Sequence, residues 1–301
     1  MAFRVGASQS VLRAFAERHG GIVVKPTMGS GSLGVRKVRS PEEVPEAWAW
    51  LEAFGVGEFM AEELLTGTEI SVETFSIAGR HSVLAVSRKD SGGGVVAIGH
   101  ALPAPLSAQC AADVEDVVCR MLDAVGLVDG PAHTELMLTA DGPRVIESHL
   151  RCAGGRIAEL VELVYGIDAE RLTCQLALPV GVPALAPVSR GAAAVRFLTP
   201  PPGRVRTVEG LAAARRVEGV VRAEVGVEPG GPVEPLRWSE DRCGLVVARA
   251  EDMATAERRA RRAAALIRIR TEPFPAVPTA TMHDLLRAAA EVLDPFGVTA
   301  S

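Results

Sequence analysis

Apolar residues in the first sixty positions recur at two spacings, which predict alternating helices and strands. Apolar positions within 11–16 lie on one face of a helix that ends at Gly20. The β-branched run at 22–24 predicts a strand, and the segment 35–38 predicts another. Ser40, followed by proline, marks the start of the next helix, since serine is a good N-cap and proline suits the first helical position.

The remainder of the chain continues this mixture. Alternating or β-branched segments predict strands at 69–75, 81–87, 95–101, 132–138 and 144–150. Helical spacing predicts helices at 107–125, 154–165, 169–178, 251–270 and 280–293. Short runs between prolines and glycines predict a β-rich module over 191–250. Together these elements indicate an α+β fold.

A loop of glycine and serine separates the first two predicted strands. This glycine loop consists of Gly29, Ser30, Gly31, Ser32, Leu33 and Gly34. Glycine permits positive φ, so the N–H and hydroxyl groups of such a loop can surround an anion such as a phosphate. Lys25 would add a positive charge. The loop is not a Walker A motif, because no Gly-Lys-Ser/Thr sequence closes it. From these residues alone, an anion-binding loop and an ordinary glycine-rich hairpin are equally good interpretations.

The strands predicted at 132–138 and 144–150 form a hairpin whose register follows from its turn. A three-residue loop centred on Asp141 would set three opposed pairs: Glu135 with Glu147, His133 with His149, and Met137 with Val145. Because side chains alternate between the faces of a strand, the other face would carry Leu136, Leu138, Ile146 and Leu150. That second face is apolar and suits a buried core.

The opposed carboxylates of Glu135 and Glu147 would have Cβ atoms roughly 4.5–5.5 Å apart. Like charges at that separation destabilise a strand pair, and a divalent cation between them removes the penalty. Mg²⁺ is usually held by one or two carboxylates, with phosphate oxygens supplying further ligands. The pair therefore predicts a magnesium site, with a solvated pair at a splayed strand edge as the alternative.

Arg151 follows this hairpin and precedes the glycine pair Gly154-Gly155. A cation beside a metal–phosphate centre can neutralise charge on a transferring phosphoryl group. Two glycines let the backbone approach a ligand closely. A turn that carries a surface arginine is an equally good interpretation of these residues taken in isolation.

Composition narrows the classes of function. The chain has 301 residues and a formal net charge of −5, which argues against a nucleic-acid surface. The arginine-rich stretch 258–270 has helical spacing and is interpreted as a solvated helix face. Five cysteines without a Cys-x-x-Cys pair favour a reducing compartment. No apolar run of about 18 residues and no signal-peptide core is present, so we expect a cytoplasmic protein with neither membrane nor nucleic-acid partners.

Five segments in order resemble the ATP-grasp superfamily of carboxylate–amine ligases. They are Val23-Val24-Lys25-Pro26, the glycine loop with Val35, residues 61–69, the strand of Glu135, and Glu147-Ser148-His149-Leu150-Arg151-Cys152-Ala153-Gly154-Gly155. The chain is most similar to the L-amino acid ligase branch, whose Gly-His-x-x-Pro segment matches Gly99 to Pro103. Residues 196–198, 241–244 and 256–269 resemble the C-terminal lid module of that branch.

The resemblance implies an ATP-grasp fold in which two α+β subdomains clamp a nucleotide beneath a β-rich lid module. The subdomains would span 1–66 and 67–187, and the lid module 188–301. The implied contacts to ATP are Lys25 at the phosphates, the backbone and hydroxyls of Gly29, Ser30, Gly31, Ser32 and Gly34 above them, Glu62 with the backbone of Glu63, Leu64 and Leu65 at adenine, and Glu69 at the ribose.

The same resemblance implies a chemistry. Glu135, Glu147 and His149 would bind two Mg²⁺ ions, although His149, which replaces the asparagine of many relatives, is equally a candidate substrate contact. Arg151 and Lys25 would be catalytic, and His100, Gly154 and Gly155 would line the pocket for a small-molecule carboxylate and amine. The implied reaction forms an amide or peptide bond, on amino acids, through an acyl-phosphate.

Two departures from the family pattern shape the remaining expectations. Arg156 stands where an aspartate often follows the glycine pair, and only some 20 residues precede the strand that leads into the glycine loop. Relatives carry a Rossmann-like domain in front of that loop. We therefore expect a partner protein that supplies this domain, or a homodimer. The alternative is an ATP-binding partner subunit, or a truncated remnant, without independent catalysis.

Overall fold

The computed structural model describes residues 2–178, 181 and 185–274; the helix predicted at 280–293 lies outside them. Its first 63 residues form an antiparallel sheet in the order β1-β4-β2-β3 with two helices. The elements are β1 (Phe3–Gly6), α1 (Gln9–His19), β2 (Ile22–Pro26), β3 (Arg36–Val38), α2 (Val44–Ala53) and β4 (Phe59–Glu63). The sequence did not predict β1, which is a short strand at the edge of the sheet.

The two helices pack on this sheet through the apolar stripes read from the sequence. Leu12, Phe15, Val44 and Leu51 are buried with Ile22 of β2 in one core. Gly20 ends α1 with a φ of 74°, a positive value that glycine adopts readily. The predicted start of α2 is shifted, because residues 41–43 form a 3₁₀ turn whose N-cap serine makes no side-chain hydrogen bond.

A second sheet carries eight strands in the order β12-β14-β10-β7-β6-β5-β8-β9. Its strands are β5 (Thr68–Ile77), β6 (Arg80–Asp90), β7 (Gly99–Leu102), β8 (Gly130–Thr139), β9 (Gly142–His149), β10 (Ala192–Phe197), β12 (Val220–Val225) and β14 (Gly244–Ala250). The helices α3 (Ala108–Ala124), α4 (Ile157–Tyr165), α5 (Ala169–Leu176), α6 (Leu211–Arg215) and α7 (Met253–Leu266) accompany them. Strands from the predicted lid module, β10, β12 and β14, thus continue the sheet that the hairpins of the middle segment begin.

A third, small sheet of three strands completes the described fold. It consists of β11 (Gly203–Glu209), β13 (Pro232–Val233) and β15 (Arg268–Glu272) in the order β13-β11-β15. The helix predicted over 251–270 therefore ends early, at Leu266. Beyond it, Ile269 lies half-buried between exposed Arg268 and Arg270, which is the alternation of a strand.

The β8–β9 hairpin confirms part of the predicted register. Glu135 pairs with Glu147 and His133 with His149, as expected. The turn, however, has two residues, Ala140 and Asp141, because Thr139 pairs with Gly142. A β-bulge after Glu135 restores the predicted pairs by leaving one extra residue, Ile146, in β9.

The bulge also exchanges the faces of β9. Leu136 and Leu138 lie in the core as predicted, but Val145 packs there in place of Ile146. Met137 pairs with Arg144 and not with Val145. Leu150 was predicted for the core and is 57% exposed, since the strand ends before it.

Gly67 joins the two halves of the molecule at the start of β5 and provides a test of this packing. Its φ is 150°, and a Cβ at this position would overlap the carbonyl oxygen of Leu138. We expect Gly67→Ala to lower the free energy of unfolding by about 3 kcal/mol or more, because strain and overlap add. Urea denaturation measures the loss.

Gly79→Ala is the matched control, since Gly79 has a φ of 72° with no other atom within 4 Å of an added Cβ. It should lose only about 1–2 kcal/mol, from backbone strain. Equal losses in the two variants would contradict the close approach at Gly67.

Candidate active site

A cleft of about 280 Å³ lies between the first sheet and the β5, β6, β8 and β9 strands of the second. Most of the predicted nucleotide and metal residues line it: Lys25, Gly29, Ser30, Gly31, Ser32, Glu62, Glu63, Leu64, Leu65, Glu69, Glu135, Glu147 and His149. Gly34, His100, Arg151, Gly154 and Gly155 are not part of its lining. The fold therefore gathers residues from positions 25 to 149 around one space.

Lys25 crosses this cleft. Its ammonium lies 2.6 Å from a carboxylate oxygen of Glu62 on β4, and the side chains of both are largely buried. The same nitrogen donates to the carbonyl of Ile146 on β9, at 3.4 Å. One cation thus contacts both walls of the cleft.

The glycine loop is held in place over the cleft by polar contacts to other segments. The carbonyl of Gly31 accepts a hydrogen bond from the N–H of Ser239, at 2.9 Å. The hydroxyl of Ser32 donates to the carbonyl of Val95, at 3.3 Å. Gly34 has a packing role instead, since a Cβ there would lie 2.8 Å from the ring of Pro26. The loop therefore lies against the segment between β6 and β7 and against the C-terminal part of the chain.

Lys89 is a site residue that the sequence reasoning missed. Its buried ammonium donates to Glu69 at 2.6 Å and to Glu135 at 2.9 Å. Burial by itself lowers the pKa of Lys89, but Glu135 and Glu69 outweigh it and raise that pKa above its ordinary value. For Glu69, burial raises the pKa of the carboxyl against the opposing effect of Lys89.

Lys37 is a second missed lysine of the cleft. It lies on β3, and its ammonium donates to the carbonyl of Gly94 at 2.8 Å. Burial is the main cause that lowers its pKa. Neither lysine belongs to a motif, so the only signal was a position on a strand beside the glycine loop or beside Glu69.

His133 extends the charged cluster behind Glu135. Its Nδ1 lies 2.7 Å from Glu73 on β5, and its Nε2 lies 3.5 Å from Glu135. Burial lowers the pKa of His133, yet the hydrogen bonds to Glu135 and Glu73 raise it to about 10, so the ring is cationic at neutral pH. Burial likewise raises the pKa of Glu135, but His133 and Lys89 outweigh it and hold that pKa well below its usual range.

The chemistry of the donor set fits a hard divalent cation. Glu135 and Glu147 face each other across the hairpin, and both line the cleft. Within 2–178, 181 and 185–274, no three His, Cys, Asp or Glu side chains are gathered into a ready metal cage. His149 instead lies 3.3 Å from Glu147. Two carboxylates that leave further positions to a ligand are the arrangement that Mg²⁺ favours.

The predicted substrate residues lie beside the cleft. His100 on β7 pairs with Lys89 on β6, and a Cβ on Gly155 would lie 3.0 Å from its Nε2. The Nδ1 of this buried ring has no hydrogen-bond partner among the described residues. Arg151 is exposed, and its guanidinium donates to the carbonyl of Cys152 at 2.9 Å.

Two family descriptions match the chain. The ATP-grasp domain matches residues 19–159, and the L-amino acid ligase C-terminal domain 2 matches residues 196–272. Residues 19–159 are therefore an ATP-grasp domain. Both the recognised family and the ATP-grasp fold expected from the sequence are thereby confirmed. None of the helices in the described part of this ATP-grasp chain is long and apolar enough to cross a membrane.

The chain is also similar to individual proteins and solved structures. Protein y4rH of Sinorhizobium fredii, itself uncharacterized, is 31% identical over 84% of this chain and 53% of its own length. Mouse carnosine synthase 1 is 28% identical over 48% of this chain and 20% of its own. The solved L-amino acid ligase of Bacillus licheniformis has a TM-score of 0.78 and 24% identity, over 90% of this chain and 69% of its own. The chain thus spans about half the length of y4rH.

Ser239→Pro tests the contact that holds the glycine loop of this ATP-grasp chain. Ser239 is the first residue of a 3₁₀ turn after an extended Trp238, a position that tolerates proline. The substitution removes the N–H that Gly31 accepts. We expect amide hydrogen exchange in residues 27–35 to accelerate about fivefold, the factor for a hydrogen bond worth about 1 kcal/mol.

Ser239→Ala keeps that N–H and serves as the control. Exchange rates in the loop that are the same for both variants would show that the Gly31 contact does not restrain it.

The buried ring of His100 gives a pH dependence with a definite sign. Burial, followed by the charge of Lys89, lowers its pKa from 6.5 to about 3. Between these values the unfolded chain binds a proton that the folded chain does not, so stability falls as the pH falls from 6.5 toward 3. We expect His100→Gln to flatten this dependence, by up to about 1.4 kcal/mol per pH unit. Urea unfolding at pH 7, 6 and 5 measures it, and parallel curves would contradict it.

Proposed function

We propose that this chain is an ATP-dependent carboxylate–amine ligase that forms an amide or peptide bond on amino acids. The observation that carries the proposal is the convergence of Lys25, Lys89 and the opposed Glu135–Glu147 pair in one cleft beneath the glycine loop. Cations and paired carboxylates are the groups that bind and neutralise transferring phosphates. The ligase branch is favoured because the C-terminal match is to an L-amino acid ligase domain.

The nucleotide is proposed to lie along the cleft. Glu62 would accept from the adenine amino group, with the backbone of Glu63 to Leu65 beside it, and Glu69 would bind the ribose. Lys25, next to Glu62, would reach the phosphates, and the glycine loop would cover them with its N–H groups. Closing this loop would exclude water from a hydrolysable intermediate.

Glu135 and Glu147 are proposed to hold Mg²⁺, with His149 adjacent to them. When bound, the ion would neutralise phosphate charge and orient the phosphates. Lys89, already paired with Glu69 and Glu135, would place a second positive charge at the same end of the cleft. Arg151 would join them from the end of β9 by turning its guanidinium away from the Cys152 carbonyl.

The proposed reaction has two steps. A carboxylate oxygen of the first substrate attacks the γ-phosphorus of ATP, and the bond from that phosphorus to the bridging oxygen of ADP breaks. The amine of the second substrate then attacks the acyl carbon, phosphate leaves, and the nitrogen loses a proton as the amide forms. His100, Gly154 and Gly155 are proposed to border the substrate pocket, since His100 pairs with Lys89 and Gly155 lies against the ring of His100.

The experiment uses the purified chain with Mg-ATP and a panel of amino acids offered singly and in pairs. Release of ADP and phosphate that requires two amino acids, with a product of the mass of the dipeptide, would support the ligase. Nucleotide binding without any amino-acid-dependent release would instead identify an ATP-binding subunit without independent catalysis.

Glu147→Gln tests the metal carboxylates within this proposal. We expect turnover to fall about 100-fold or more, because a metal ion is worth several kcal/mol to a phosphoryl transfer. Asp141→Asn is the matched control: it lies exposed at the turn of the same hairpin and should leave turnover unchanged. Full turnover by a folded Glu147→Gln variant would remove Glu147 from the site.

A further inference from the structure

The two opposed carboxylates of the cleft are held very differently. Each oxygen of Glu135 has its own nitrogen neighbour, with Nζ of Lys89 at 2.9 Å from Oε2 and Nε2 of His133 at 3.5 Å from Oε1. Among the residues that the structure describes, the one ionisable partner of Glu147 is His149, at 3.3 Å. The side chain of Glu135 is 13% exposed, whereas that of Glu147 is 42% exposed. Glu135 is therefore fixed in orientation, and Glu147 is open to solvent.

The fixed orientation depends on a residue outside the cleft. His133 is fixed in turn by Glu73, whose carboxylate lies 2.7 Å from its Nδ1. Both residues are only 6% exposed, and neither lines the cleft. Glu73, His133 and Glu135 thus form a continuous series of side-chain contacts from the interior of the sheet to the cleft wall.

The register of the strands produces this series of contacts. Glu73 of β5 pairs directly with His133 of β8, and Glu135 lies two residues further along β8 on the same face. A buried imidazole and carboxylate are costly compared with apolar side chains of similar size. Their contact with Glu135 offsets this cost in the function of the site. A metal-binding carboxylate that is oriented before the ion binds loses less conformational freedom on binding.

We propose that His133, backed by Glu73, is a positioning residue that fixes the carboxylate of Glu135 and so sets the Mg²⁺ affinity of the nucleotide site. The inference rests on the proposed function, since it takes Glu135 as a metal ligand. Hydrogen-bonded partners behind metal ligands typically contribute 10–100-fold to metal affinity. Neither residue is expected to contact the nucleotide.

The test is calorimetric binding of ADP to Glu73→Gln and His133→Gln, with Mg²⁺ and with EDTA. The Glu73 variant keeps the shape of the side chain and removes its charge. We expect both variants to bind ADP in EDTA as the wild type does, and to require about tenfold more Mg²⁺ for the same gain in affinity. In a Glu135→Gln background, Glu73→Gln should cause no further loss, because its effect passes through Glu135.

His81→Asn is the matched control. His81 is also a buried histidine beside a carboxylate, at 3.2 Å from Asp123, but it lies at the other end of β6 and outside the cleft. It should leave the Mg²⁺ requirement unchanged. An equal shift in this control would show a general effect of buried histidines and overturn the proposal.

Three further outcomes distinguish a failure of the positioning role from a failure of the proposed metal site. Folded Glu73→Gln and His133→Gln variants with the wild-type Mg²⁺ requirement would overturn the positioning role while leaving the proposed function intact. Loss of folding in both variants would assign the pair a purely structural role and also overturn it. If wild-type ADP binding does not respond to Mg²⁺ while Mg-free binding persists, the metal site of the proposed function fails, and the positioning role with it.

Discussion

Burying a carboxylate without a partner is costly, and the strands beside the cleft bury three of them. Glu73, Glu135 and Glu69 have side chains no more than 19% exposed, and the cations His133 and Lys89 lie between them. The row alternates in sign from end to end, so each charge is compensated by its neighbours. Removing one member leaves a buried charge unpaired, which costs more than the pair contributes. The geometry of the cleft depends on the row being complete.

Strand pairing builds this row, and two β-bulges set its register. In the β5–β6 hairpin, a bulge after Glu73 makes Ile70 pair with Arg88, which brings Lys89 level with Glu69. In the β8–β9 hairpin, a bulge after Glu135 keeps that residue opposite Glu147. Bulges are common next to active sites because they redirect a side chain without ending a strand. Here each one lies within a few residues of the cleft.

The sequence predicted the parts of the site that depend on motifs and on simple alternation. The glycine loop, Lys25, Glu62 and the Glu135–Glu147 pair could be assigned in this way, and all of these residues except Gly34 line the cleft. The pairing of the two glutamates was predicted correctly although the turn was not. The observed turn is one residue shorter than the predicted turn, and the bulge adds one residue to β9, so the two differences cancel. Lys89 could not be placed, since counting from the Ala78-Gly79 turn without the bulge puts Arg88 opposite Glu69. The exposed position of Arg151 could not be predicted from the sequence either, because it depends on the side-chain conformation just after the end of β9.

The bulge in β9 has a mechanical consequence. Ile146, the extra residue, is left without a partner on β8, and its carbonyl accepts the hydrogen bond from Lys25 on the opposite sheet. The bulged residue therefore links the second sheet to the first sheet across the cleft. An anion that drew Lys25 away from Ile146 would therefore also release this link between the two sheets. Part of the binding free energy of the anion would then be used to separate the two walls of the cleft from each other.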